Sequence, residues 1–151
     1  MPKISPFLWF DNNAEEAVEF YLSVFKDSDR LKVHRSGGAG GKVMVISFEL
    51  DGQEFVALNG GPIFKFSEAV SFVVYCKDQG EIDYYWDGLL AGGGAPSQCG
   101  WLKDKFGLSW QIVPENIAEI ANSPAAMQAL LGMIKLDLAT LETARLSNPR
   151  T

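Results

Sequence analysis

Cysteine, histidine and long apolar runs are scarce in this sequence, and each shortage closes off a class of function. Cys76 and Cys99 are its two cysteines. Two thiols do not make the disulfide framework of a small secreted fold, so a cytoplasmic protein with reduced thiols is expected. No Cys and His spacing suggests a zinc site. His34 is the single histidine, and any Ser-His or Cys-His machinery would have to use it; beside Arg35 on a half-exposed strand, it is poorly set for that work. No apolar run approaches the roughly 20 residues of a membrane-spanning helix, and the opening Met1–Ser5 lacks the apolar core of a signal peptide. Cations are few as well: 13 Lys and Arg against 19 Asp and Glu give a formal charge of −6. A nucleic-acid surface needs clustered Lys and Arg, so neither nucleic acid nor membrane is expected as a partner.

What is present is an ordinary globular composition, 47% hydrophobic and 21% charged over 151 residues. That suits one domain with a substantial core, or two small repeats sharing one. Ile4–Phe10, bounded by Pro2 and by Asp11-Asn12-Asn13, reads as a buried strand. Asn12 or Asn13 is placed to cap the helix that follows, with Glu15 and Glu16 at its positive end. Ala14, Ala17, Val18, Tyr21, Val24 and Phe25 give that helix one apolar stripe, and Asp27-Ser28-Asp29 ends it. Leu31, Val33 and Arg35 alternate with Lys32 and His34 in an edge or half-exposed strand.

The glycine-rich run Ser36–Lys42 invites a phosphate-loop reading and fails it. Ser36 stands where the first glycine is required, and Val43 where Ser or Thr is required. A loop between strands is the better account. Val43–Leu50, Asp51-Gly52 and Gln53–Asn59 form a β-hairpin about a type I′ turn. Asn59–Ala69 is a linker with Phe64 and Phe66 pinned to the core, and Val70–Cys76 is another buried strand. Asp78 caps a second helix striped by Ile82, Tyr85, Trp86, Leu89 and Leu90, which Gly92–Pro96 stops. A turn near Asp104–Gly107 leads to a last strand, Leu108–Val113.

The two halves repeat. Val18-Glu19-Phe20-Tyr21 and Ile82-Asp83-Tyr84-Tyr85 hold the same place in the two helices, and each helix sits between a buried strand and strands joined by short turns. The expected domain spans 1–151, with modules 3–59 and 69–114 and a helical tail 115–151. In the tail, Ser123-Pro124 starts a helix with Met127, Leu130, Leu131 and Ile134 on one side, and Asp137 caps another through Leu138 and Leu141.

A repeated βαβββ module of this size resembles the vicinal oxygen chelate superfamily of glyoxalase I, extradiol dioxygenases and bleomycin-resistance proteins. Trp9-Phe10-Asp11 before Ala14–Tyr21, then Leu58–Pro62, Phe64-Lys65-Phe66 and Cys99–Pro114, look like its PhnB-like branch, also labelled demethylubiquinone methyltransferase-like. The resemblance implies an α+β fold in which two modules form a curved mixed sheet around a cavity, with C-terminal helices added, and it implies a homodimer. In metal-dependent members, ligands come from the first and last strands of each module. Carried across by position, these fall on Ile4 or Pro6, near Asn59, near Ser71 and on Gln111. Ile4 and Pro6 cannot ligate, and Asn, Ser and Gln are neutral oxygen donors that suit divalent metals poorly. No metal and no cofactor are therefore expected.

The methyltransferase label implies a methyl donor. A Rossmann-type site for it needs a glycine-rich first turn, and Asp11-Asn12-Asn13 holds no glycine. Cys99 reads as a small buried residue beside a turn rather than a nucleophile. Trp9, Trp86 and Trp110 read as core, with Trp110 on the sheet face opposite Gln111; Trp101 is placed at a pocket rim. Gln111 itself is either a pocket-facing polar group or a core amide satisfied by backbone. The function expected is binding of a small molecule by Asn59, Ser71, Trp101 and Gln111. The alternative is an enzyme: a metal-dependent lyase or dioxygenase, or a methyltransferase.

Overall fold

The structure, a computed structural model, describes residues 3–38 and 40–147. Met1, Pro2, Ala39 and residues 148–151 lie outside the described residues, and with them the outer ends of the expected domain and tail and one position of the glycine-rich loop. The chain divides into two compact units, Met1–Phe66 and Ser67–Thr151, each with its own sheet.

The first unit runs β1 (Phe7–Phe10), α1 (Ala14–Val24), β2 (Ser28–Arg35), β3 (Val43–Leu50) and β4 (Gln53–Asn59). The strand order is β1-β4-β3-β2, with β1 and β4 parallel and the other pairs antiparallel. The hairpin lies where the sequence puts it. Asp51 (φ 48°) and Gly52 (φ 84°) both take the left-handed conformation that a type I′ turn requires. β1 starts later than expected, because only Phe7–Phe10 find register partners, Val56–Asn59, and Ile4 is exposed. The stripe on α1 buries Ala14, Ala17, Val18 and Tyr21 on the sheet face carrying Phe48, Phe55 and Ala57; the Tyr21 and Phe48 rings stack, and so do Phe48 and Phe55. Burying a large side chain such as Val18, Phe48 or Phe55 stabilises by roughly 1.5–3 kcal/mol, so this face fixes the register. The helix ends earlier than its stripe, with Phe25 as its C-cap. β2 is an exposed edge studded with Arg30, Lys32, His34 and Arg35, which discourages pairing with other chains. Arg30 forms an ion pair with Glu19.

The α1 cap differs from expectation. Asn13 makes no side-chain cap. The cap comes instead from a residue far away in sequence: Asn59 Oδ1 accepts from the Ala14 amide at 2.8 Å. In the following linker, Phe66 packs edge-on against Phe10. Phe64 touches the Trp9 ring edge-on at 4.9 Å but remains exposed rather than buried.

The second unit repeats the plan: β5 (Ser71–Cys76), α2 (Gln79–Leu90), β6 (Ala95–Pro96), β7 (Trp101–Lys103) and β8 (Ser109–Pro114), ordered β5-β8-β7-β6 with β5 and β8 parallel. Asp78 caps α2 by accepting from the Glu81 amide, while Glu81 Oε1 accepts from the Lys77 amide. β6 and β7 are stubs compared with β2 and β3. Gly92 and Gly93 take positive φ, Pro96 has no N–H, and Cys99 and Gly100 are left-handed, so little extended chain is left to pair. β5 is not the buried strand expected. Val73 and Tyr75 are exposed, because α2 covers only the other face of this sheet, where Trp110 and Ile112 are buried.

The tail adds α3 (Ile117–Ala121), α4 (Pro124–Leu131) and α5 (Leu138–Leu146). Ser123 and Asp137 cap α4 and α5 as the sequence suggests. The buried face of α4 is Ala126 and Leu130, and these join Val113, Ile120, Leu136 and Leu141 in one cluster. Leu131 and Ile134 are exposed instead, because α4 ends at Leu131 and the chain turns away at Gly132. The tail docks on the second unit by backbone bonds from Cys99 N to Met133 O and Gly100 N to Ile134 O, both 2.8 Å. Gln79 adds a fork, donating to Leu136 O and accepting from the Leu138 amide, and Lys135 pairs with Asp83 at 2.8 Å.

Candidate functional site

The second unit's sheet sorts its side chains by parity. Along β8, Trp110 and Ile112 face α2, so Ser109 and Gln111 take the other face. Direct cross-strand partners share a face. Ser71, Ser109 and Lys103 therefore form one row, and Val73, Gln111 and Trp101 the next. Three of the four expected site residues meet here: Gln111 Nε2 donates to Ser71 Oγ at 2.9 Å, and Trp101 is the direct partner of Gln111. All three are half-buried. Gln111 is thus bound to a side chain, and neither backbone nor core packing consumes it; among the described residues its Oε1 has no partner.

Trp110 falls on the opposite face as expected, with a buried partner that the sequence left unnamed. Its Nε1 donates to Asp104 Oδ2 at 2.9 Å, while Asp104 Oδ1 accepts from the amides of Phe106 and Leu108. Asp104 is 3% exposed. The turn before β8 is therefore built around one carboxylate, and this fixes the phase of Gln111.

Charge enters the first row at Lys103, whose Nζ lies 2.6 Å from Glu68 Oε2. The Lys103 ammonium beside it holds the Glu68 carboxyl below its ordinary value. Ser109, which sequence reasoning missed, lies between Ser71 and Lys103. The available signal was its spacing of two residues from Gln111. The face offers hydrogen bonds, one ammonium and an indole, and among the described residues Lys103 is paired with Glu68 rather than with either serine.

Asn59 belongs to the first unit, and its amide is engaged at both ends. Besides the Ala14 bond, its Nδ2 donates to Val43 O at 3.1 Å. It ties the start of α1 to the start of β3, beside a cleft of about 470 Å³ that Asp11, Glu15, Arg35 and Lys42 also line. His34 is exposed on the edge strand. Cys99, with φ 61°, is half-buried and serves the tail through its backbone. Cys76 is buried; desolvation, with Glu81 and Asp78 nearby, pushes its thiol up to about 12.

Neither group implied by the resemblance fits these residues. Among the described residues no cluster of three or more His, Cys, Asp or Glu is placed to hold a metal ion, and the donors at Asn59, Ser71 and Gln111 are neutral, with Asn59 Oδ1 and Ser71 Oγ already accepting hydrogen bonds. For a methyl donor, the glycine pair after β4 is the available cradle, and a protein side chain fills it. A Cβ on Gly60 would run into the Trp9 ring, and Trp9 Nε1 donates to Gly61 O. Each sheet is four-stranded with a single parallel pair, unlike a doubly wound nucleotide-binding sheet.

Residues 2–113 match the sequence family described as 3-demethylubiquinone-9 3-methyltransferase. A PhnB protein from Bacillus cereus is 35% identical, with a TM-score of 0.66, over 74% of this chain and 99% of its own. Two more distant structures share the fold. The fosfomycin resistance protein FosX from Listeria monocytogenes, solved with Mn(II) and sulfate, is 11% identical with a TM-score of 0.55, over 76% of this chain and 91% of its own. A glyoxylase/bleomycin resistance protein/dioxygenase domain from Frankia is 12% identical with a TM-score of 0.51, over 76% and 93%. No curated protein matches the chain. The family span ends at residue 113, so the docked tail lies beyond it.

Proposed function

From the premise that this chain belongs to the family described as 3-demethylubiquinone-9 3-methyltransferase, with the vicinal oxygen chelate fold, we propose that it binds a small organic molecule without a metal, on the sheet face carrying Ser71, Trp101 and Gln111. The observation that supports this reading is the Gln111–Ser71 bond. At a position where the fold's metal-dependent members place a ligand, this chain has an amide that donates one N–H to a hydroxyl and whose oxygen is left to accept. Trp101, the cross-strand partner of Gln111, offers a flat apolar surface beside it. Asn59 is left out of the binding set, because both ends of its amide serve the backbone.

A homodimer is part of the same proposal. Leu131, Ile134 and Leu146 expose apolar surface on the tail, of the kind that interfaces cover. No helix among the described residues is long and apolar enough to cross a membrane. The test is a ligand-observed NMR screen of small organic acids, amides and aromatic compounds against the full chain and Gln111→Ala. The reading expects at least one binder, lost or strongly weakened in the variant. If every binder is retained, the face is not the site.

A further inference from the structure

Ser109 is 1% exposed, and its hydroxyl is the one buried side-chain polar atom without a hydrogen-bond partner among the described residues. Buried hydroxyls almost always find a partner, and leaving one unmade is costly. Its row explains what is missing. Ser71 Oγ already receives the Gln111 amide, and Lys103, the direct partner on the other side, carries an ammonium, which can only donate. Ser71 O–H, Ser109 O–H and the Lys103 ammonium are three donors in one cross-strand row, and neither the Gln111–Ser71 bond nor the Lys103–Glu68 pair reaches Ser109 Oγ.

We propose that Ser109 is a ligand-binding residue, and that its row takes a carboxylate whose flat apolar body lies on Trp101 in the next row. This rests on the reading of the Ser71–Gln111 face as the ligand site. Lys103 already binds a carboxylate, that of Glu68 at 2.6 Å. Their side chains, 42% and 64% exposed, are the part of the row free to swing. A ligand carboxylate replaces Glu68 on Lys103 and accepts from Ser109, turning an unpaired buried donor into a charge-assisted bond.

The test uses the full chain, Ser109→Ala and Gln111→Ala, with benzoate and its neutral counterpart benzamide as probes. Binding is followed by ligand-observed NMR and stability by thermal unfolding without probe. For Ser109→Ala the unfolding temperature is expected to hold or rise, since an unpaired hydroxyl has been removed, while the benzoate Kd rises about tenfold. Wild type is expected to prefer benzoate to benzamide. A clear fall in the unfolding temperature, or failure of Ser109→Ala to fold, would show that the hydroxyl serves the fold and overturn the inference. Equal binding of the two probes, or no benzoate binding by wild type, would overturn the carboxylate assignment. If Gln111→Ala loses benzoate and Ser109→Ala does not, the site stands and the role of Ser109 fails; if neither variant loses it, both readings fail.

Discussion

At the scale of single residues, Asp104 sets the geometry of the proposed site without belonging to it. A buried carboxylate needs several donors, and this one has two backbone amides and the Trp110 indole. Holding Trp110 toward one face puts Gln111 on the other. In Asp104→Ala, three donors lose their acceptor in a buried turn, and a destabilisation of roughly 2–4 kcal/mol is expected. Urea unfolding measures it; a change within about 0.5 kcal/mol, the range of an ordinary surface substitution, would show that the turn holds without the carboxylate. Asn59 carries a related lesson. Its place in the sequence suggests a ligand-binding amide, yet its partners Ala14 and Val43 come together only in the folded first unit, and no local pattern reveals that a helix cap will come from 45 residues away.

At the scale of elements, the sequence is most legible where geometry is local. The Asp51-Gly52 hairpin needs two left-handed residues and has them in the two that best tolerate that conformation, and the Asp78, Ser123 and Asp137 caps each bond an amide three residues on. It is least legible where tertiary pairing decides. The start of β1 depends on β4, and the exposure of Val73 and Tyr75 depends on which face α2 covers. The buried side of α4 depends on where the chain turns to meet Gly100. That docking is itself testable. Gly100 has φ 84°, and an added Cβ would lie 3.0 Å from Ile112 O and 3.2 Å from the Leu136 side chain. Gly100→Ala is expected to cost about 1–3 kcal/mol and to raise hydrogen exchange at the Cys99 and Leu138 amides, whose acceptors belong to this junction. Unchanged exchange at both would mean that the tail is held elsewhere, for instance through Lys135 and Asp83. Those two charges hold each other in the ionised forms: the Asp83 carboxyl is lowered by its hydrogen bond from Lys135, and the Lys135 ammonium is raised in return.

At the scale of the whole molecule, the repeated module was legible because each half carries the same strand–helix–strands pattern, and both sheets share one connectivity, 1-4-3-2 and 5-8-7-6. Ligand identity was not legible, because a face of hydroxyls, an amide and an indole accepts many chemistries. The central claim is that hydrogen bonds, and no metal, hold the ligand of this family member. Metal analysis of the full chain purified without chelator tests it most directly. Substoichiometric manganese, iron, nickel and zinc are expected, equally low in Gln111→Ala. One tightly held equivalent per chain in the wild type, lost in Gln111→Ala, would contradict it.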